Sequence, residues 1–556
     1  MDEEKLLNAI RRVSSLRAFI LGCIIGSFFS VFNVIIALKT GLSFAGTQIV
    51  AMLGYFALRL TGRYNEKENS ILLATASGAS LAMFTIDSVV GAIVIYAGIT
   101  PYPVFVFALS TVGVFIGIIF GFFLRRPLIE EEKLQYPGAS ATAEVVKSLV
   151  KIGGTRFKFV LLGVLIGALV TLPVSVLGVV PSSFPGRTLG LPTFIGLAIS
   201  PLMIGLGFLM GWKTSSLIFA GSFLSFAVWL FLEGQTSAVT FSKHLENPWV
   251  LSVGVFVSIG YAIFYLIRTR RIWALAIRKH DVQEEPKKGR KIPLKKLLWS
   301  FLLLVLLAIL SFPFNRDIAL TLSVSLAAFF LIVISSIFSG RAMGETGIAP
   351  VTTMGVLGLF IVSFFTRDIV LILFFGAFIA VIGSSTASIL NTYKIGSVLQ
   401  VDPKKLTLAQ ALGSIVGVLS GTYVIFAIAS LYGFGTELFP APISISWGTV
   451  SSALSRGVLP PSINPFIGMG SFGLAWIMGY FQLSPIAFSV GVLIPPSYSV
   501  TILIGGFFQF LIQRKFKADK KIQQTKLSEG QSIASGLITG ESLMLLLSLI
   551  LKLLGR

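Results

Sequence analysis

The sequence predicts an all-α, polytopic integral membrane protein of about 16 transmembrane helices, built as two inverted-topology repeats with broken helices. Three observations carry that expectation. Hydrophobic residues make up 55% of the 556 positions and charged residues 12%, with a mean hydropathy of +0.90, whereas soluble domains are roughly a quarter charged. Apolar runs approaching the roughly 20 residues that cross hydrocarbon recur along the chain. A segment of the first half also returns in the second with its flanking charges reversed. No alternation over segments of about 10 residues appears, which disfavours an outer-membrane barrel.

Basic residues collect on the cytoplasmic side of membrane proteins, so the charges order the spans. Lys5, Arg11, Arg12 and Arg17 precede the first run, Ala18–Leu38, placing the N-terminus in the cytoplasm of a multi-pass plasma-membrane protein. This run is long enough to span, so the N-terminus is not a cleavable signal. Span two covers Ser43–Leu60, span three is a Gly- and Ser-interrupted segment from Asn69 to Ile99, and span four is Val104–Leu124. Phe159–Val180 and Leu191–Gly211 go out and back, span seven ends near Glu233, and Val250–Ile267 returns the chain to Arg268. Arg268–Lys296 then holds eleven Lys and Arg. It reads as a cytoplasmic linker between a first repeat, 1–267, and a second, 297–556, each of about eight spans. The second half offers Leu297–Phe312, Ile318–Phe338, Val351–Phe365, Ile369–Ser384 and Leu408–Leu431. An external loop Gly433–Ile463, a broken region Pro465–Leu511 and a last span Ser532–Leu554 follow.

The internal repeat is legible at a constant offset of 284, where nine of the 27 positions from Ser200 to Phe226 are identical. Ser200-Pro201, Gly207, Ser215, Gly221 and Phe226 recur as Ser484-Pro485, Gly491, Ser499, Gly505 and Phe510. Lys39-Thr40-Gly41 is matched more weakly by Glu345-Thr346-Gly347. The first copy runs towards a sparsely charged loop and the second towards Arg514–Lys526, so one leaves the cell where the other enters it. Inverted repeats with interrupted helices suit alternating access, because exchanging the repeats' conformations exchanges the open side. The expected breaks are Pro201, with Gly205 and Gly207 beside it, and Pro495-Pro496, where unwound backbone faces protein or water. Plain kinks and close helix packing are the structural alternative.

Several functions are excluded. The net charge of +21 is split between helix ends rather than laid along one surface, so nucleic acid is not an expected partner. One cysteine, Cys23, and two histidines, His244 and His280, allow no intramolecular disulfide, no cysteine-based metal site and no histidine-rich metal cage. No metalloprotease, nucleophile-elbow or Walker motif appears, so neither an enzyme nor an ATP-driven pump is expected, and no cofactor. An ion channel is the remaining rival, and no selectivity-filter-like loop appears.

Charged residues inside spans need a partner, a water-filled surround or a task. Asp87, between Met83-Phe84-Thr85-Ile86 and Val89-Val90-Gly91, carries its charge only at a desolvation cost, which suits a proton carrier; the alternative is a cap on a half-helix. Glu541 is a second candidate on the same grounds. Glu144 reads either as a partner for a substrate ammonium or as a residue favoured near a helix N-terminus. Glu130-Glu131-Glu132, beside Arg125 and Arg126, reads as a solvated face with local ion pairing.

Several motifs resemble those of the oligopeptide-transporter family, which includes the yellow-stripe-like transporters. Asn33…Leu38-Lys39-Thr40-Gly41 is similar to its first block, and Glu68-Asn69-Ser70 to the Gln-Glu-Asn-Thr that opens its third span. Leu134-Gln135-Tyr136-Pro137-Gly138-Ala139-Ser140-Ala141-Thr142-Ala143 resembles its Leu-x-Tyr-Pro-Ser-Gly-x-Ala-x-Ala signature, with Gly-Ala in place of Ser-Gly. Lys394-Ile395-Gly396, Pro403-Lys404-Lys405 and Ala409-Gln410 resemble its Lys-x-Gly…Pro-Arg…Ala-Gln block. The resemblance implies uptake of small peptides, or of metal bound to amino-acid-derived chelators, by proton symport. A peptide needs a cation, an anion and amide-type donors. The candidate substrate residues are therefore Asn33, Lys39, Thr40, Gln48, Tyr136, Glu144, Tyr393, Lys394 and Gln410, with Asn391 as a further donor. Lys39 and Lys394 also read as interfacial lysines that snorkel. The expected partners are the small-molecule substrate, protons and membrane lipid, with a homodimer left open.

Overall fold

The computed structural model describes residues 3–40, 47–81, 84–150, 155–181, 183–184, 196–232, 244, 247–278, 318–347, 349, 351–435, 439, 441–458 and 463–553. The first half contains α1 (Glu3–Thr40), α2 (Thr47–Leu60), α3 (Glu66–Leu81), α4 (Phe84–Ala97) and α5 (Pro103–Arg125) with a π-helical extension Arg126–Glu131. It continues through α6 (Pro137–Val150), α7 (Thr155–Thr171, extended to Val176), α8 (Pro201–Met210), α9 (Trp212–Ala227, extended to Leu232) and α10 (Pro248–Arg278). The second half contains α11 (Ile318–Thr346), α12 (Val351–Val362), α13 (Ile369–Leu399), α14 (Pro403–Leu431) and α15 (Pro442–Ser455). It ends with α16 (Pro465–Tyr480), α17 (Pro485–Leu493), α18 (Pro496–Lys515) and α19 (Lys520–Leu553). A two-residue antiparallel pairing, Ser183–Phe184 with Leu197–Ala198, is the one strand contact among the described residues.

Proline opens many of these helices, its missing N–H costing nothing in the first turn. Asp402, Asn464, Ser200 and Ser484 cap the prolines that follow them by accepting backbone N–H groups. Among the described residues, six helices are long and apolar enough to cross a bilayer by themselves. The central one is α13, almost wholly buried, while α7 presents Leu161, Leu162, Leu165 and Leu169 outwards, as a lipid-facing helix does.

Element for element, the second half repeats the first: α11 follows α1, α12 follows α2, α13 follows α3–α4, and α14 to α19 follow α5 to α10. The contacts are reciprocal. A methyl group on Gly117 of α5 would fall 2.6 Å from the carbonyl oxygen of Ile382 on α13, and one on Gly417 of α14 would collide with Ala79 of α3. Tyr136 and Ala441, each ahead of a proline and each at φ 47°, donate their N–H to Gly344 O at 2.8 Å and Leu38 O at 2.7 Å. That left-handed conformation is uncommon for a residue with a Cβ and is disfavoured before proline. Its occurrence at both equivalent turns marks them as one design used twice.

The repeats run in opposite directions. Along α5, Gly113, Gly117 and Gly121 meet Phe378, Ile382 and Ile389 in turn, so α5 and α13 are parallel; Gly413 and Gly417 meet Thr75 and Ala79, so α3 and α14 are parallel. The short turn 98–102 sends α5 back from α4, and therefore α13 runs against its counterpart α3–α4.

Some boundaries differ from the sequence expectation. Ser43–Leu60 and Val351–Phe365 contain helices of 14 and 12 residues, short of the roughly 20 a crossing takes. Residues 279–296 of the expected linker and the expected span 297–312 lie outside the described residues, while α10 continues past Arg268 to Arg278. Pro201 does not break a helix: it is the first residue of α8, and the interruption lies at Gly211, at φ 82°. The equivalent of Pro201 is Pro485, and that of Pro495-Pro496 is Gly211-Trp212. A proline at a helix start and a proline inside one look alike in sequence, which is the reason for the displacement.

Candidate functional site

The segments α8–α9 and α17–α18 are two interrupted helices, each a short piece followed by a longer one, packed on one another. The backbones touch at four glycines: Gly207 on Ile502 O, Gly491 on Ile218 O, Gly221 on Phe488 O and Gly505 on Ile204 O, positions at which a Cβ has no room. Each contact maps onto another at the offset of 284, which is a pseudo-two-fold relation. At 10 and 9 residues, α8 and α17 reach about half the thickness of a hydrocarbon core.

Each interruption is satisfied by side chains from elsewhere. Pro496 lacks the N–H that would meet Val492 O, and that oxygen accepts instead from Ser225 Oγ at 2.6 Å and bonds His244 Nε2 at 3.0 Å. At Gly211, Trp212 N donates to Gln509 Oε1 at 3.4 Å. The Gln135 amide, turned so that its nitrogen faces the carbonyls, donates to Leu209 O at 2.7 Å and Met210 O at 3.0 Å.

A carboxylate sits at the N-terminus of each short helix. Ser200 Oγ donates to Glu541 at 2.8 and 3.0 Å, and Leu202 N donates to Glu541 Oε2 at 2.6 Å. At the equivalent place Ser484 Oγ donates to Glu345. Glu345 is paired with Arg341 Nε at 2.7 Å, and Arg341 also pairs with Glu132. No cation pairs with Glu541 among the described residues, and positively polarised helix ends stabilise such anions. Glu130 and Glu131 pair locally with Arg125 and Arg126 at 3.1 Å each, at the i,i+5 spacing that the π-helical turn brings together.

Asp87 is on α4, wholly buried. Ser88 donates its backbone N–H and its hydroxyl, the latter at 3.1 Å, to Oδ1, and Oδ2 has no hydrogen-bond partner among the described residues. Glu541 and Asp87 are not brought together: α4 packs on α15 and α13, α19 on α7 and α8.

A polar group forms where α2, α6 and α13 approach. Gly138 O accepts from Thr142 Oγ1 at 2.9 Å and from Gln48 Nε2 at 3.4 Å, and Thr47 and Thr142 hydroxyls bond at 3.1 Å. Asn391 Oδ1 lies nearby without a partner among the described residues. Gln410 Nε2 donates to Ser388 Oγ at 3.1 Å, leaving Oε1 unpartnered among the described residues.

The other candidates are engaged structurally. Asn33 Nδ2 donates to Ser80 O at 3.1 Å and Tyr136 OH to Gly340 O at 3.1 Å. Tyr393 OH bonds Thr407 Oγ1 at 2.6 Å, and Lys394 Nζ donates to Leu134 O at 2.8 Å. Glu144 accepts from Ser532 Oγ at 2.7 Å and stands in the middle of α6, not at its start. Lys39 and Thr40 end α1, and their side chains lie outside the described residues. Gln135, Gln509, Ser225 and His244 were not singled out from sequence, although Ser-Pro at both copies signals a capped helix start. Among the described residues no three His, Cys, Asp or Glu side chains are placed to hold a metal ion.

The family model described as OPT oligopeptide transporter protein matches residues 13–552. The chain belongs to this family. An OPT relative from Haemophilus influenzae, provisionally described as an oligopeptide transporter, is 21% identical over 92% of this chain and 91% of its own length. A Saccharomyces cerevisiae protein with the same provisional description is 22% identical over 40% of this chain and 33% of its own length. The chain is thus a multi-pass OPT-family transporter.

Proposed function

We propose that the protein is a secondary active transporter that moves small oligopeptides together with protons across the plasma membrane, by alternating access between its two inverted repeats. The observation that carries this reading is the reciprocal packing of α8–α9 on α17–α18. Two equivalent, oppositely directed units in contact can exchange conformations and so exchange the open side. The peptide class is supported by the family and by the descriptions of both relatives. Thr47, Gln48, Thr142, Asn391 and Gln410 supply neutral donors and acceptors suited to peptide amides.

Asp87 is the proton carrier in this account. It is buried with one oxygen unpartnered among the described residues, whereas both oxygens of Glu541 are engaged, and Glu541 serves as the cap of α8. A carboxylate without a compensating cation releases its charge by taking a proton. The test is uptake into proteoliposomes of labelled di- to tetrapeptides, against a labelled iron chelate, with and without an imposed pH gradient. Peptide accumulation driven by the gradient is expected. Chelate accumulation in place of peptide would move the substrate to the other branch of the resemblance, and equal uptake with and without the gradient would remove proton coupling.

A further inference from the structure

The buried apolar residues of the chain fall into separate cores. Leu206 and Met210 of α8 pack with Ile218, Ile502 and Ile538, whereas Leu128, Tyr136, Ala342 and Leu390 belong to the larger core around α13. The helix α6 lies on the border, giving Ala139 to the larger core and Ala141 to the smaller. The segment 132–136, which leads from the π-helical turn after α5 into α6, is bonded to other elements at nearly every position. Glu132 pairs with Arg341 of α11. Leu134 O accepts from Lys394 Nζ of α13 at 2.8 Å. Tyr136 donates its N–H to Gly344 O at 2.8 Å and its hydroxyl to Gly340 O at 3.1 Å, both on α11.

Gln135 reaches the smaller core instead. Its amide donates to Leu209 O at 2.7 Å and Met210 O at 3.0 Å, at the end of α8. Lys133 and Tyr136, at φ 53° and 47°, bracket it in left-handed backbone that is uncommon for residues with a Cβ and persists only where the surroundings hold it. The two kinds of attachment differ in how readily they part. Tyr136 is wholly buried and Arg341 is mostly so, and a polar or charged group left unpaired in the interior pays its full desolvation. Gln135 is exposed, and the carbonyls of a helix's last turn have no intrahelical donor. Water therefore takes over both partners when the amide lets go.

We propose that segment 132–136 is a strap, fixed to α11 and α13 at one end and latched to the end of α8 by Gln135, and that this latch parts when the protein opens on that face. The inference rests on the alternating-access reading, in which the smaller core moves against the larger, and it names a contact that must break for it to do so. Arg125 and Arg126 precede the strap and Lys213 follows the end of α8, so in the topology of the proposed function the latch closes the cytoplasmic side. The break in the other copy is held differently: the bonds to Val492 O come from Ser225 and His244, both buried, which water does not replace so cheaply.

The test uses the full-length protein with Cys23→Ser, Lys133→Cys and Lys213→Cys; both lysines are exposed, and Gln135 stays in place. Reducible bis-methanethiosulfonate reagents of graded spacer length then bridge the strap to the start of α9. Bridging by the shortest spacer that reacts is expected to abolish uptake into proteoliposomes, and reduction to restore it. A monofunctional reagent on the same two cysteines should leave uptake intact. In Gln135→Ala, and in Gln135→Glu, which keeps the size but cannot donate, the yield of that bridge should fall by a factor of about 3 to 10, as the loss of a hydrogen bond of ordinary net strength implies. Undiminished uptake by the bridged protein would overturn the proposal, as would a bridge yield that neither substitution alters. If the unbridged protein takes up neither peptide nor chelate, the transport reading fails instead, and the bridge yields still decide whether Gln135 holds α8.

Discussion

Alanine at Gly207 and, separately, at Gly491 tests the crossing of the two helix pairs. A Cβ at either position would sit so close to the carbonyl oxygen of Ile502 or Ile218 that the helices must part by about an ångström to reach 3.0 Å, which real Cβ atoms rarely undercut. The obstacle is backbone on both sides, so no side chain can swing away. Overpacking of this kind costs about 1–3 kcal/mol, against a gain of roughly 0.5–1 kcal/mol from replacing glycine by alanine in a helix. Gly470 and Gly473 on α16 have nothing within 4 Å of an added Cβ, and alanine there collects the helical gain without the clash. Thermal denaturation followed by fluorescence-detected size exclusion in detergent is the assay. The expected result is a similar fall in midpoint for Gly207→Ala and Gly491→Ala, with Gly470→Ala and Gly473→Ala unchanged or higher. If the buried pair behaved like the exposed pair, the close crossing and the two-fold relation drawn from it would both be wrong.

Two further outcomes follow from the charges. Glu541→Gln should lower the melting midpoint, because a charge-assisted bond to Leu202 N and Ser200 is worth about 1.5–3 kcal/mol. Gradient-driven uptake per folded molecule should persist; uptake lost at an unchanged midpoint would make Glu541 the proton carrier. Cysteine at Lys288 should be silent, and cysteine at Ser452 reactive, towards an impermeant thiol reagent applied to intact cells carrying Cys23→Ser. Labelling of Lys288→Cys from outside would reverse the orientation.

The sequence made the repeat legible where identical residues serve identical contacts. Gly207 and Gly221 match Gly491 and Gly505 because each faces a carbonyl that tolerates nothing larger. The weaker match of Lys39-Thr40 with Glu345-Thr346 also has a structural basis, since Thr40 and Thr346 end α1 and α11. The break in the second copy lies at Pro495-Pro496, where the sequence placed it, whereas that of the first lies at Gly211 and not at Pro201, because the two copies achieve the same break by different means, one through a positive φ and the other through the missing N–H of Pro496. The Tyr136 turn hid its partner for a similar reason: Ala441 shares its backbone conformation and nothing of its side chain.

Side-chain partners were the least legible part. Lys394 was expected to meet substrate or membrane surface, and its ammonium is held by Leu134 O. Glu132 belongs to a locally paired acidic run, yet it reaches Arg341 on α11, a contact between halves of the chain that no local pattern announces. Asp87 stood out because an isolated charge in an apolar stretch is costly in any fold, whereas Gln135 and Gln509 became notable only once the helix ends they meet were known.

The central claim is that Asp87 couples substrate movement to protons, and the most direct measurement compares two transport modes in Asp87→Asn proteoliposomes. Asparagine fills the same volume without a charge to satisfy, so the fold should be retained. Accumulation driven by a pH gradient is predicted to be lost, while exchange of labelled for unlabelled peptide at equal pH on both sides survives. Full gradient-driven accumulation by the variant would contradict the account and move coupling to another carboxylate.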